Sequence, residues 1–483
     1  MTPPSNATGA DAEPDRAPRG LLGLFGVDRS DGPLLLGLAS MHFLVLCAYY
    51  AARPLRDEVG ANIASELGNL WTAVFFVNLV LSPLYAAFAR AETRRRLMGG
   101  VFLFFALCAV LFSAGLGGLR LGDFGPTGLE GSGRLWLERV FYVWLSVFVM
   151  LVVSSFWSYA SDLCDLKRAK RLYGVVAAAG TVGGIVGARL TGELSSMGIG
   201  PGRILLIVAG LLVAASFNVG VVERRAERDA TGPANSREAI GGTIWSGFQA
   251  VVRSRYMLAI VGFILLMTLS STIFYYIQSN LVREVIADRG ERRAYLASLD
   301  EITNWITLVG QLGVVGWMMK RLGVGLTLAG LPLVALLGMI AVGFAFAEGG
   351  PLMALASAFV HFIQSILGGE VIGDWRSDAT LLTILSVVLV AQRAARYAFA
   401  RPSRETLYTL VSRDERFKSK NFIDTVVYRG GDVTFGRTFT WLSVGLGYSV
   451  GAIALMAAPI MVLWIGLSIW LGALAGRRSP AGD

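Results

Sequence analysis

Long runs of apolar residues recur along almost the whole chain and are separated by short polar segments. A helix needs about 20 apolar residues to cross the hydrocarbon core of a bilayer, and the runs have this length. The pattern therefore predicts an all-α integral membrane protein with twelve transmembrane helices in two groups of six. The first group covers 34–55, 70–90, 97–117, 138–162, 173–196 and 203–222, and the second covers 256–281, 302–320, 323–347, 379–400, 433–453 and 456–475.

Polar stretches divide the chain into five parts. We expect a disordered cytoplasmic tail, a first six-helix half, a cytoplasmic linker, a second six-helix half and a short cytoplasmic tail. Their boundaries are predicted at 1–32, 33–222, 223–254, 255–476 and 477–483, respectively. The start, MTPPSNATGADAEPD, lacks the basic and apolar regions of a secretory signal, so we do not interpret it as one.

One further apolar segment, 351–368, is followed by the polar sequence GGEVIGDWRSD. Two interpretations stay open, a re-entrant or interfacial piece and a thirteenth crossing. A thirteenth crossing would disturb the charge pattern of the loops that follow it. We therefore favour the re-entrant or interfacial piece.

Basic residues are concentrated in the short segments between apolar runs, although charged residues make up only 16% of the chain. With the N-terminus inside, most lysines and arginines fall in cytoplasmic segments, which is the positive-inside pattern of membrane proteins. We therefore expect a multi-pass protein of the cell (inner) membrane with both termini in the cytoplasm. The same pattern accounts for the net charge of +9, so we expect no nucleic-acid partner.

Cysteine and histidine form no pattern that indicates chemistry. Cys47, Cys108 and Cys164 lie in or beside apolar runs without paired spacing, and His42 and His361 stand alone. These features favour packing roles over disulfides or a metal site. We find no arrangement of nucleophile and base and no phosphate-binding loop, so we predict neither an enzyme nor a cofactor.

Closely spaced glycines mark the apolar sequence GTVGGIVGARLTG at 180–192. It superficially resembles a dinucleotide-binding loop, but no strand precedes it and it lies within a predicted span. Small residues four apart let helix backbones approach each other closely in a membrane. The segment therefore predicts tight helix packing.

Two segments that lie 226 residues apart resemble each other without gaps. YYAARPLRDEV at 49–59 matches YYIQSNLVREV at 275–285, with both tyrosines, one leucine, one glutamate and one valine identical. A weaker match relates DLKRAKRL at 165–172 to ERFKSKNF at 415–422. The two matches occur in the same order, which predicts two pseudo-symmetric six-helix halves. This is the ground plan of major-facilitator-type transporters, which bind substrate between the halves.

The first of these segments carries unusual charge for an apolar helix. Arg53, Arg56 and Asp57 fall on i, i+3, i+4 spacing and would share one helix face, where they can pair. Charge that faces lipid is costly, so this face should look into protein or water. A solvated helix exit is the alternative. Because the matching segment carries Arg283 and Glu284, we favour a central role in substrate binding.

Mixed charges also occur in SDLCDLKRAKRLYG at 161–174 and SRDERFKSKNFIDTVVYRGGD at 412–432. Most of these residues are explained as cytoplasmic topology charge. We also predict salt bridges between helices that break when the halves rock. The candidate gating residues are Asp165, Lys170, Glu415, Lys418 and Asp424.

Three segments together resemble the ATP:ADP antiporter family, in a bacterial major-facilitator-like form. They are YYAARPLRDEVG, SSFWSYASDLCDLKRAKRLYGVVAAAGTVGGIVG and ARPSRETLYTLVSRDERFKSKNFIDTVVYRGGD. The most specific element is Lys-x-Lys-x-x-Ile-Asp, which begins at Lys418. The resemblance implies exchange of ATP for ADP, with charged residues in the membrane essential. Its basic residues map to Arg56 and Lys420, and one acid maps to Glu284. Its fourth-span glutamate has no counterpart, because Leu145 takes that place.

These observations predict a secondary transporter that works by alternating access on an organic anion, with the lipid bilayer as its other partner. The predicted contacts to the anion are Arg53, Arg56 and Lys420. The acids that would orient these bases or carry a coupling proton are Asp57, Glu58 and Glu284. ATP:ADP-type antiport is the leading specific substrate prediction, beside another anionic or phosphorylated substrate. Two alternatives are a non-transporting sensor or assembly protein on a transporter fold and a proton-coupled drug exporter.

Overall fold

A computed structural model describes 31–91, 93–118, 131–164, 166–229, 244–346, 377–412, 415, 419–420 and 422–478. The described residues are helical apart from short connections, and they contain no strand. The predicted N-terminal tail up to residue 30, the central part of the linker and the segment 351–368 lie outside them.

Six long helices form the N-terminal half. They are α1 Gly32–Asn62, α2 Leu67–Ala91, α3 Arg94–Gly115, α4 Gly131–Leu163, α5 Leu166–Ser196 and α6 Pro201–Asp229. A proline in the first turn starts α1, where no backbone donor is lost. The helix then continues seven residues beyond the predicted span 34–55. The charged motif of the first span is therefore part of an unbroken helix.

The remaining helices begin with α7 in the predicted linker and continue through the C-terminal half. They are α7 Ile244–Val252, α8 Arg255–Val285, α9 Arg289–Val309, α10 Val315–Ala345, α11 Asp378–Ala395, α12 Arg401–Tyr408, α13 Tyr428–Thr440 and α14 Val450–Arg478. Side-chain caps fix three of the starts. Ser254, Asp288 and Ser377 each accept a hydrogen bond from a backbone N–H three residues later, which satisfies one free donor of the first turn.

Four π-helical turns interrupt this half. They lie at Gly310–Val314, Arg396–Ala400, Ile423–Val427 and Trp441–Gly445. Such turns insert an extra residue into a helix, re-aim the side chains that follow, and occur frequently at functional sites.

Ten helices in the described part of the chain are long and apolar enough to cross a membrane. The predicted spans 302–320 and 433–453 do not coincide with any of the ten. The first is shared between α9, a π turn and the start of α10, and a kink with positive φ at Gly323 ends it. The end of the second is wrong, because the chain turns at Gly447, with φ +70°, before α14 begins. A count of twelve crossings stays a prediction.

Among the described residues, the contact between the two halves is made mainly by four pairs of helices. α1 contacts α8 and α9, α5 contacts α9, and α2 contacts α13. Within the N-terminal half, α1 packs mainly on α5 and α6, and within the other half α10 packs on α14. We term the end of the bundle where α1 begins the proximal end, and the end where α1 terminates the distal end.

The glycines of α5 allow it to lie directly against the backbone of α1. A Cβ atom on Gly183 would come within 2.2 Å of the Phe43 carbonyl oxygen, and one on Gly187 within 2.2 Å of the Cys47 carbonyl oxygen. Neither neighbour is a side chain that can turn away. The close packing that the glycine spacing predicts is thus present.

Gly187→Ala is expected to destabilise the fold by about 1–3 kcal/mol, the usual cost of overpacking, because α1 and α5 must separate. Gly174→Ala on the same helix is the matched control, since a Cβ there meets no atom within 4 Å. Unfolding in mixed micelles measures both variants. Equal stability of the two would mean that the contact between α1 and α5 is not tight.

Candidate functional site

A cavity of about 280 Å³ lies between the two halves. Residues of α1, α2 and α4 form its wall on one side, and residues of α8, α11, α13 and the π turn Arg396–Ala400 form the other. Its volume is near the lower end of the range for small-molecule sites. Because the cavity lies at the interface of the two halves, any movement of one half against the other changes its shape.

Positive charge dominates the wall of this cavity. The charged lining residues are Arg53, Arg56, Arg393, Arg396, Arg429 and Asp432. Two further acids, Asp57 and Asp300, pair with these arginines. Five arginines against three aspartates leave a formal excess of two positive charges. A cavity with this excess concentrates anions.

The charged motif of α1 is buried inside the bundle. Nε of Arg56 donates to Oδ1 of Asp57 at 3.0 Å, and Nε of Arg53 lies 3.5 Å from Oδ2 of the same carboxylate. Asp57 is only 4% exposed and Arg53 only 8%. The alternative of a solvated helix exit is therefore wrong. The pair of Arg53 with Asp57 follows from their i, i+4 spacing, whereas the pair of Arg56 with Asp57 joins adjacent residues and is not predicted by helical spacing.

A second charged network crosses between the halves beside the first. Nη1 of Arg53 on α1 lies 3.1 Å from Oδ1 of Asp300 on α9. Nη1 of Arg393 on α11 donates to the same oxygen at 3.2 Å, and its Nη2 donates to Oε1 of Gln278 at 2.7 Å. One carboxylate thus holds arginines from both halves.

Arg396 differs from the other arginines of the cavity. The described residues give it no ion pair, and its Nε is buried without a hydrogen-bond partner. Arg429, by contrast, pairs at 3.2 Å with Asp432 on its own helix. A buried guanidinium donor without a partner is costly unless a ligand supplies the acceptor. Arg396 is the first residue of a π turn, and its guanidinium is available to a bound anion without the breaking of an ion pair among the described residues.

Aromatic residues form the remainder of the wall. They are Tyr49, Trp71, Tyr142, Phe274, Tyr275, Tyr397 and Tyr428. Three of them form a chain of hydrogen bonds across the halves. Nε1 of Trp71 donates to Tyr142 OH at 2.8 Å, the hydroxyls of Tyr142 and Tyr275 are 3.0 Å apart, and Tyr275 OH donates to Asp57 at 3.3 Å. This chain ends on the carboxylate that holds Arg56.

Ion pairs also join the halves at the distal end, away from the cavity wall. The residues of this distal ion-pair layer are Glu58, Arg134, Glu138, Arg289 and Arg293. Nη2 of Arg289 on α9 donates to Glu58 on α1 at 3.1 Å and to Glu138 on α4 at 2.9 Å. Both glutamates are 2% exposed. This layer is a buried contact that any separation of the distal ends would have to break.

Two curated proteins named as ADP,ATP carriers are similar to this chain in sequence. No family model matches the chain. The ADP,ATP carrier protein 2 of Chlamydia trachomatis is 23% identical over 93% of this chain and 89% of its own length. The chloroplastic ADP,ATP carrier protein 2 of Arabidopsis thaliana is 22% identical over 83% of this chain and 68% of its own. The predicted resemblance to the ATP:ADP antiporter family is confirmed.

Solved structures of transporters share the fold of this relative of the ADP,ATP carriers. A bacterial homologue of the iron transporter ferroportin, in its inward-facing state, has a TM-score of 0.57 at 12% identity and covers 92% of this chain and 99% of its own. The nucleoside transporter NupG has a TM-score of 0.53 at 12% identity over 93% of this chain and 100% of its own. The predicted major-facilitator-like fold is confirmed. The comparisons also support the prediction of a secondary transporter.

The structure brings only part of the predicted site together. Arg53 and Arg56 line the cavity and Asp57 pairs with both, whereas Glu58 belongs to the distal ion-pair layer. Glu284, its counterpart in the sequence repeat, is exposed near the end of α8 and does not line the cavity. The repeat therefore places equivalent tyrosines at the cavity but does not place equivalent acids there.

Lys420 also lies apart from the cavity wall. Its Nζ donates to Oε2 of Glu405 at 2.7 Å, and its side chain is 38% exposed. The basic residue that the resemblance places beside the eleventh helix is thus held by an acid of its own half. Its role in binding the anion stays a prediction.

The predicted gating pairs are described only in part. Asp165, Lys418 and the side chain of Lys170 lie outside the described residues. Asp424 lies 3.4 Å from Arg404, which belongs to the same half, and the backbone N–H of Glu415 donates to Ser412. Among the described residues, none of these predicted gating acids forms an ion pair between the halves. The inter-half ion pairs of the described residues involve other acids. Asp300 pairs with Arg53 at the cavity, Glu301 pairs with Arg189 between α9 and α5, and the glutamates of the distal ion-pair layer pair with Arg289.

Several important residues were not predicted from the sequence. Arg393 and Arg396 lie inside the predicted span 379–400, and charge within an apolar span is itself a signal of function. Asp300 and Arg429 lie just before predicted spans, where charge is common, so no signal marks them.

The acid of α4 lies at a different position along the helix from the glutamate that the family resemblance implies. Leu145, which takes the place of the family's glutamate, is fully buried in the apolar core. Glu138 lies seven residues earlier on the same helix and belongs to the distal ion-pair layer. The helix therefore contributes no acid to the cavity wall.

Proposed function

We propose that the chain is a secondary transporter that exchanges organic anions by alternating access, with the cavity between the halves as its binding site. The arginine-rich wall, with Arg396 unpaired among the described residues, is the observation that carries this proposal. An anion in the cavity would satisfy that guanidinium and balance the excess positive charge. A cavity at the interface of the halves can open to either side without moving the binding residues far.

A phosphorylated substrate, with ATP and ADP as the first pair, fits this wall. Arginine presents a planar fork of donors that matches phosphate oxygens, and its hydrogen bonds to phosphate are charge-assisted. The aromatic residues beside the arginines offer flat faces on which a nucleotide base can stack. The names of the two curated relatives add support, because both are ADP,ATP carriers.

A smaller anion is the second candidate, and one observation favours it. The cavity measures only about 280 Å³, near the lower limit for small-molecule sites. Inorganic phosphate or a short phosphorylated acid would need less room than a nucleotide. A drug exporter with a single acid in an apolar cavity is disfavoured, because five arginines line this wall.

We infer that the proximal end faces the cytoplasm of a bacterial inner membrane. The basic segments at the starts of α3 and α5 and at the end of α14 support this orientation through the positive-inside rule. A reporter fused to the C-terminus tests it. Activity of the reporter outside the cytoplasm would reverse the orientation.

Uptake into proteoliposomes is the direct test of function. Labelled ATP, ADP, inorganic phosphate and organic acids are supplied outside, with the same compounds or buffer inside. We expect uptake of at least one anion that is accelerated by anion on the other side. Failure of every anion to enter, by a protein that is folded and oriented in the liposomes, would overturn the proposal.

A further inference from the structure

Asp300 is the acid that links the arginines of the two halves at the cavity. It is 1% exposed on α9, and its Oδ1 is shared by Arg53 from the N-terminal half and Arg393 from the C-terminal half. Its Oδ2 has no hydrogen-bond partner among the described residues. A buried carboxylate that is satisfied on one oxygen only is not arranged for maximal stability. Such an arrangement suits a contact that must also break.

The other acids near the cavity are arranged differently. Asp57 holds two arginines of its own helix, and Tyr275 is its partner from the other half through a hydroxyl at 3.3 Å. Asp432 pairs with Arg429 three residues away. Asp300 is the acid of this group that binds guanidinium groups from both halves. Any rotation of one half against the other must therefore stretch its contact with Arg53.

A bound anion would compete with Asp300 for the same donors. Arg53 and Arg393 both line the cavity, so oxygens of an anion there can reach their guanidinium groups. Nε and Nη1 of Arg53 are buried and donate no hydrogen bond to any described residue. Each bond that the anion forms with Arg53 weakens the attraction between Arg53 and Asp300. A ligand shifts a conformational equilibrium only through such differential contacts.

We propose that Asp300 is a positioning residue that makes reorientation depend on bound anion. Without a bound anion, its carboxylate neutralises the arginines. Its ion pair with Arg53 connects α9 to α1 and keeps the distal ends of the halves together. A bound anion pairs with both arginines in place of Asp300. The ion pair between α9 and α1 then breaks, and the halves can rock. This inference rests on the proposed function. It gives one carboxylate as the reason why the transporter reorients only with an anion bound and therefore exchanges anions.

The first measurement needs no ligand. Spin labels at Met197→Cys and Ala287→Cys, both exposed at the distal end of different halves, report the distance between the halves when the three native cysteines are replaced by alanine. We expect one short distance for the parent protein and a second, longer population for Asp300→Asn. Asp378→Asn, which changes an exposed acid in the first turn of α11 outside the cavity wall, is the control and should keep the parent distribution. A parent-like distribution for Asp300→Asn would overturn the proposal.

The second measurement is uptake of labelled ATP, and of labelled inorganic phosphate, into proteoliposomes with and without unlabelled anion inside. For the parent protein we expect internal anion to raise uptake by at least about tenfold, a typical coupling between linked steps. For Asp300→Asn this ratio should approach one, while Asp378→Asn, outside the cavity wall, should keep the parent ratio. An unchanged ratio for Asp300→Asn contradicts the proposal and leaves the proposed function standing. No uptake of either anion by the parent counts against the proposed function, and the spin-label distances then decide the role of Asp300.

Loss of the buried carboxylate removes the acidic partner of Arg393 and leaves Arg53 with Asp57 alone, so Asp300→Asn can fail to fold. The double variant Asp300→Asn with Arg393→Gln removes one charge of each sign and restores the balance. It should fold and still show the longer distal distance without ligand. A single short distance in a folded double variant would contradict the proposal.

Discussion

Arg396→Ala is expected to lower the kcat/KM of anion uptake about 100-fold, which corresponds to loss of about 3 kcal/mol of charge-assisted hydrogen bonding. The reason is the position of this residue. It lies on the cavity wall, and its guanidinium has no acidic partner among the described residues to compete with a substrate. Removal of the side chain therefore removes a contact to the anion without breaking an ion pair among the described residues. Uptake over a range of substrate concentrations in proteoliposomes measures the effect.

Two further variants separate binding from general damage. Arg396→Lys keeps the charge but loses the planar fork, so we expect an intermediate loss of kcat/KM. Arg203→Ala removes an exposed arginine at the start of α6 and should leave uptake unchanged. Full activity of Arg396→Ala, in protein that is folded and correctly inserted, would show that the substrate binds elsewhere.

Glu58→Gln is expected to destabilise the protein by about 3 kcal/mol, the lower end of the range for a broken buried ion pair. The lower end applies because Arg289 is 35% exposed at its side chain, whereas Glu58 is only 2% exposed. Water can therefore compensate Arg289 in part, but Arg293, which is 9% exposed, loses its acidic neighbour inside the protein. Unfolding in mixed micelles measures the change.

An exposed pair provides the matched control. Arg189 and Glu193 on α5 pair at 3.0 Å, with side chains that are 66% and 57% exposed. Glu193→Gln should change the free energy of unfolding by no more than about 0.5 kcal/mol, because surface ion pairs contribute little. Similar losses for Glu58→Gln and Glu193→Gln would mean that the distal ion-pair layer does not hold the halves together.

The same substitution should also change the balance between conformations. The distal ion-pair layer connects α1 and α4 to α9, so its contacts exist only while the distal ends are closed. Glu58→Gln is therefore expected to increase alkylation of a cysteine introduced at Tyr275, at the distal side of the cavity. If alkylation of this cysteine does not increase, the distal ion-pair layer contributes to stability but not to the balance between conformations.

The sequence resemblance between α1 and α8 shows which structural features a sequence repeat can predict. Tyr49 and Tyr275 are equivalent in the repeat, and both line the cavity. Glu58 and Glu284 are equally well matched, yet one is buried in an ion pair and the other is exposed. The repeat predicts which helices face each other. It does not predict the partner of each charge, since the two halves supply different neighbours.

The sequence by itself determined the membrane-spanning helical class, the family resemblance and the pairing of Arg53 with Asp57. These properties depend on apolar length or on spacing along one helix, and both are local. Only the tertiary structure placed Arg393, Arg396 and Asp300 at the same cavity and moved Glu58 to the distal ion-pair layer. The partner of a buried charge is chosen by packing between helices that lie far apart in the chain. For this reason charges that are not predicted from the sequence, such as Arg396, can line the site. A charge that is predicted to belong to the site, such as Glu58, can instead hold the distal ends of the halves together.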